Sequence, residues 1–202
     1  MIKRIFTAVI LVTLCAFLCS CTSNYAKDVH FIHAVCFDKN TSDNTYQILA
    51  VFEKQSADGE SSKEQKEYFV DTQKGKSFEE ILDKLTKKYT GSYYASNTLY
   101  FLPESTDSQT INEVAVFLSQ SNILPSKAEA VFITNTTASD FLDTIKNQQD
   151  IKKILKLTHN KKTNIINFLA NFDNKGVTDK IPRLTLTNNK KNITLYKTHN
   201  EE

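Results

Sequence analysis

Hydrophobic positions along this chain change period several times, and each change marks an element. Val29–Phe37 (VHFIHAVCF) and Tyr46–Lys54 (YQILAVFEK) are rich in β-branched and aromatic residues. The polar residues Asp38–Thr45 between them predict an antiparallel hairpin with a loop longer than the tightest type. A charged stretch, Gln55–Gln65, reads as a surface loop, and Lys66–Thr72 as a short third strand. The period then becomes helical. Phe78, Ile81, Leu82, Leu85 and Tyr89 share one face, behind a capping box at Ser77–Glu80 and ahead of Gly91, placed at C′ as the stop. Thr98–Pro103 is a strand, and Thr110–Glu113 repeats the capping-box pattern before the face of Ile111, Val114, Ala115 and Leu118.

Ala128–Thr134 (AEAVFIT) is nearly all apolar, as suits a strand buried on both sides. Helices are predicted over Thr136–Lys146, Asp150–Leu157 and Thr163–Phe172. The alternating runs Arg183–Thr187 and Asn192–Lys197 predict a terminal hairpin. The order packs as one α+β domain, residues 29–198, with a mixed β-sheet covered by helices and a hairpin at each end. A strand–helix–strand–helix–strand core centred on Phe101 and Phe132 predicts neighbouring parallel strands. Residues 199–202 form a polar tail.

The N-terminus changes the picture of where this domain sits. Lys3 and Arg4 precede an apolar run, Ile5–Leu18, that is shorter than the ~20 residues of a membrane-spanning helix. Basic segment, apolar run, then small residues is the order of a secretory signal. Leu18-Cys19-Ser20-Cys21 looks like a bacterial lipobox, which implies removal of residues 1–20 and a diacylglyceryl group on the thiol of Cys21. Cys15 and Cys19 each follow a bulky leucine and do not fit. The polar Thr22–Asp28, within a tether spanning 21–28, reaches at most ~25 Å. The expectation is a lipoprotein on the outer side of the cytoplasmic membrane.

Loss of Lys3 and Arg4 leaves 23 basic against 23 acidic residues, so no global field points to nucleic acid. Cys36 would remain as the lone free thiol, which leaves no internal disulfide. Thirteen Phe and eight Tyr supply core material in its place.

Candidate chemistry adds little. Lys74-Gly75-Lys76-Ser77 resembles the end of a phosphate-binding loop, but Val70 stands where its first glycine belongs, and a turn with a helix cap accounts for it better. His30 and His33 lie three apart in a strand, hence on opposite sides, without the spacing of a metal site. No serine sits in a G-x-S-x-G elbow. Glu79 and Glu80 are adjacent rather than facing, and Cys36 reads as a small core residue. No catalytic residue, cofactor or metal is therefore expected. A lysine cluster, Lys152, Lys153, Lys156, Lys161 and Lys162 around His159, reads as a solvated helix face, with contact to anionic lipid or wall polymer as its functional alternative.

Several of these segments together resemble the spore-germination lipoproteins, the C subunits of germinant receptors. Ala34-Val35-Cys36-Phe37-Asp38 stands for that family's Ala-Val-Gly-Ile-Asp-like segment. Gly75-Lys76-Ser77-Phe78-Glu79-Glu80-Ile81 matches its glycine followed by a capped Ser-Leu-x-Glu-Ala-like helix start. The strand at Leu99–Leu102 and the proline-led pair at Ile181-Pro182-Arg183-Leu184 follow in the family's order. The resemblance covers roughly residues 28–197 and the family's first domain alone. It implies a non-enzymatic lipoprotein that contacts membrane-embedded germinant-receptor subunits, in the spore inner membrane. The alternative is a small-solute-binding lipoprotein associated with a transporter.

Overall fold

The computed structural model describes residues 30–40, 42–53, 67–158, 164, 181–187 and 192–196. Its framework is one seven-stranded sheet in the order β3-β2-β1-β4-β5-β6-β7. The strands are β1 (Ile32–Asn40), β2 (Thr45–Glu53), β3 (Tyr68–Gly75), β4 (Leu99–Pro103), β5 (Glu129–Ile133), β6 (Arg183–Thr187) and β7 (Asn192–Leu195). Four α-helices lie among the described residues: α1 (Phe78–Lys88), α2 (Ser108–Gln120), α3 (Ala138–Leu142) and α4 (Gln148–Thr158). The β1–β2–β3 meander is antiparallel, β1, β4, β5 and β6 run parallel, and β6–β7 closes antiparallel. The α+β reading, with a mixed sheet and a hairpin at each end, therefore holds.

Two cores lie on the two sides of the sheet. On one side Val35, Phe37, Ile48, Phe52, Tyr100 and Phe132 pack under α1 and α2. On the other, Ala34, Cys36, Leu49, Val51, Phe101 and Val131 pack under α3 and α4. Strict alternation would put Ile32 and Ala34 on one side; an irregularity in the β1–β2 register at this point separates them. β4 and β5 are buried on both faces, which is why they read as unbroken apolar runs. Each fully buried Phe or Leu side chain contributes about 1.5–3 kcal/mol.

The structure corrects several boundaries. β1 begins later than the sequence predicts and runs through Asp38 and Lys39, which pair with Gln47 and Tyr46. The hairpin loop is correspondingly shorter, and Asn44 takes φ 53° in it. β3 extends to Gly75 because β2 offers it a partner as far as Tyr46. β3 also lies at the sheet edge beyond β2, so β1, not β3, is the parallel neighbour of β4. The hairpin pairing of β2 with β3 captures that strand before a crossover can.

Helix starts differ for the same kind of local reason. Ser77 caps α1 as predicted, its side chain accepting from Glu80 N, but the Glu80 carboxylate returns to Lys76 N at 2.7 Å. The predicted box at Thr110–Glu113 does not form. Asp107 caps α2, accepting from Thr110 N at 2.9 Å and from the Thr110 hydroxyl at 2.8 Å. Gly91 has φ 83° but follows Thr90, one position beyond C′, since Tyr89 is the C-cap. The helix predicted over Thr136–Lys146 is only α3, capped by Thr137. α4 starts ahead of Asp150, where Asn147 Oδ1 accepts from Gln149 N at 2.8 Å. The signal, the tether with Cys21, the tail and the helix predicted at Thr163–Phe172 lie outside the described residues, apart from Asn164, which bridges Glu129.

Candidate interaction surface

Both α1 and α2 follow a strand that ends at the same end of the sheet, and both run back along the strands toward the other end. Tyr46, Phe78 and Phe117 make the floor between them; Phe78 meets Tyr46 edge-on at 4.8 Å and lies tilted against Phe117 at 5.7 Å. Two depressions open along this seam. One, of about 590 Å³, is lined by Tyr46, Phe78, Glu79, Gln109, Glu113 and Val116, among others. The second, of about 440 Å³, includes Leu82, Asp83, Thr86, Phe117 and Ile123. Val116 and Ile123 are 54% and 44% exposed, so apolar side chains stand out on a face bordered by Glu79, Asp83 and Glu113.

Glu113 fixes the upper part of this face. Its Oε2 accepts from the Tyr46 hydroxyl at 2.8 Å and Lys39 Nζ at 3.4 Å, and its Oε1 from Gln109 Nε2 at 2.9 Å. Burial pushes its pKa up, but the hydrogen bonds from Tyr46, Gln109 and Lys39 outweigh that and hold it below the usual glutamate range. Lys39 lies 4.6 Å from the Tyr46 ring centre, and its pKa is raised chiefly by its hydrogen bond to Tyr46. Glu80, which the pattern assigns to the cap, is held low first by Lys84 and then by Lys76 N.

The other side of the sheet carries a different polar group. His33 Nε2 lies 3.1 Å from Glu53 Oε2 and stacks on Tyr68 at 4.6 Å. The Tyr68 hydroxyl is buried without a hydrogen-bond partner, and burial, then the charges of Glu53 and Asp150, push its pKa well above the phenol range. His30 packs edge-on against Tyr89 and Phe52 on the opposite side, so the two histidines point apart as predicted. The sequence pairing that mattered was His33 with Glu53, twenty residues on, and no spacing rule points to it.

Cys36 is fully buried, and burial, reinforced by Asp38, raises its thiol pKa well above normal. Gly75 ends β3, and Ser77 serves as a cap, so the phosphate-loop-like segment is a strand-to-helix turn. No group of three metal-ligating side chains occurs among the described residues. No described helix is long and apolar enough to cross a membrane. Lys152, Lys153 and Lys156 lie on exposed positions of α4; Lys161, Lys162 and His159 fall outside the described residues. The groove itself was not legible in advance, because Val116 and Ile123 sit outside the apolar faces that the helical period selects.

These features define a helix-covered mixed sheet with an apolar, acid-rimmed seam between two parallel helices. Residues 23–186 match the family of the spore germination protein N-terminal domain, and the chain belongs to that family. The match ends within β6, ahead of β7. No curated protein and no solved structure matches the chain.

Proposed function

We propose that this protein is a non-enzymatic, lipid-anchored spore germination protein that acts by holding a membrane protein partner against the α1–α2 seam. The observation that carries this reading is the pair of exposed apolar side chains, Val116 and Ile123, beside grooves bordered by Glu79, Asp83 and Glu113. An apolar centre with a charged rim is the anatomy of a protein contact. Family membership supports a role in germination. By resemblance, the partner is a membrane-embedded germinant-receptor subunit. A small-solute site is less well supported, because such ligands are mostly enclosed by protein and both depressions open to solvent.

The anchor is the lipid on Cys21 of the Leu18-Cys19-Ser20-Cys21 box. Tethering raises the effective concentration of neighbouring membrane proteins, to about the millimolar range for short linkers, so a modest interface suffices. The test places a photo-crosslinking residue at Val116 and, as control, at the exposed Thr187 at the end of β6, in intact membranes. A membrane protein captured from position 116 and not from 187 is the expected result. Capture of transporter subunits would support the solute-delivery reading instead, and capture of no membrane protein would overturn the proposal. Cys21→Ala is expected to remain unprocessed and unlipidated.

A further inference from the structure

The sheet has a definite lower end, the one at which the chain enters β1. Ile32, at the start of β1, pairs with Phe52 near the end of β2, and Glu53 at that end pairs with Tyr68 at the start of β3. Leu99 and Glu129 begin the parallel β4 and β5 at the same end. α4 is fastened to this end at both of its own ends. At its start, Asn147 bridges Glu67 and Tyr68 N donates to Lys146 O. At its finish, the Thr158 hydroxyl donates to Glu129 at 3.2 Å.

α4 therefore lies across the strands rather than along them. Its 11 residues span about 16 Å, against about 19 Å for the four strand spacings from β3 to β5. Ile151 and Ile154 face the sheet, which leaves Lys152, Lys153 and Lys156 outward on the helix that lines this end. Lys146, ahead of α4, and Lys127, just before β5, are exposed at the same end. None of these five lysines takes part in an ion pair in the described structure.

Carboxylates at this end are engaged. Asp150 accepts from Lys146 N and Asn147 N, Glu129 accepts from Thr158, and Glu53 pairs with His33. By contrast Lys84 and Lys87, on α1, are paired with Glu80 and Asp83. Lys74 and Lys76, at the other end of the sheet, are also exposed without an ion pair, so five of the seven unpaired lysines among the described residues lie at this end. Tyr93 stands there too, 53% exposed, its backbone bonded to His30 and Ile32 where the chain enters. Tyrosine at such a place suits a membrane–water boundary.

We infer that this lower end is a membrane-docking surface, on which Lys152, Lys153 and Lys156 of α4 rest against anionic lipid headgroups. The inference extends the reading of Cys21 as lipid-anchored, since the tether of Thr22–Asp28 reaches at most ~25 Å and joins the fold at this end. Docking here turns the α1–α2 seam sideways along the membrane, toward neighbours in the same bilayer. Each lysine near an anionic surface strengthens binding about five-fold, and salt weakens it as the screening length shortens.

The test uses the chain from Thr22 onward, which carries every residue of both cores, so that lipidation does not enter the measurement. Sedimentation with phosphatidylglycerol-containing vesicles is compared with pure phosphatidylcholine vesicles. Binding only to the former, lost at high salt and weakened on the order of 100-fold in K152Q/K153Q/K156Q, is expected. K84Q/K87Q serves as a surface control and is expected to bind as the parent does, with circular dichroism confirming the fold of each variant. Equal binding by the triple variant, no preference for anionic vesicles, or capture by soluble polyphosphate without vesicle binding would overturn the inference. Mass spectrometry of the N-terminal peptide from the membrane-extracted protein tests the lipid on Cys21 separately; its absence would refute the anchor and leave the vesicle result standing.

Discussion

Glu113→Gln is the substitution that reports most directly on how the seam is held. One carboxylate of α2 receives Tyr46 and Lys39 from the two strands of the N-terminal hairpin, and Gln109 from its own helix. The amide keeps the shape and removes the charge. A hydrogen bond to a charged group contributes about 1.5–3 kcal/mol and a neutral one about 0.5–1.5, so weakening the Tyr46 bond costs about 1 kcal/mol. The Lys39 pair, with side chains 11% and 30% exposed, adds at most about 1 kcal/mol after solvent screening. The total, about 1–2 kcal/mol, corresponds to a Tm lower by about 3–6 °C for a domain of this size.

The sign of the pH dependence follows from the depressed carboxyl of Glu113. Its folded pKa lies below the ordinary 4.5, so its stabilisation is complete above that value and is lost as pH falls through the folded one. Parent and Glu113→Gln melting temperatures are therefore expected to differ at pH 7 and to converge in acid. Thermal unfolding followed by circular dichroism, with Tyr46→Phe and the double variant completing a cycle, reads both effects. A Tm for Glu113→Gln equal to the parent's at pH 7, a gap unchanged into strong acid, or additive losses in the cycle would refute the reasoning.

Three further outcomes are expected. Asp107→Ala should cost about 1 kcal/mol in urea unfolding, through loss of the α2 cap, and exceed the effect of Glu113→Gln on helix content. Gly75→Ala brings a methyl to 2.9 Å from Ile81 Cγ1 and 3.1 Å from the returning Glu80 carboxylate, so a loss of about 1–3 kcal/mol is expected in the same assay. Cys36 should react with a thiol reagent only as fast as the protein unfolds, because burial both shields the thiol and keeps it protonated; rapid labelling of the folded protein would contradict its place in the core.

The sequence by itself determined the types of the seven described strands and of α1, α2 and α4, the strand-rich start, the apolar strand β5, the closing hairpin and the family. Those depend on periodicity and on short motifs, which are local. Helix starts were less legible, because Asp107 and Thr110 both carry capping chemistry and only the path of the chain out of β4 selects between them. Tertiary structure alone decided that β3 leaves the crossover unit for the edge, since pairing with β2 competes with pairing to β4 and spacing does not rank them. It alone also joined His33 to Glu53 and Glu113 to Tyr46, contacts across 20 and 67 residues. The lysines of α4 were visible as a cluster from the start. That they lie across the end of the sheet where the tether joins follows from two long-range fastenings, at Tyr68 and Glu129, because the direction of a helix over a sheet is set by what its ends hold.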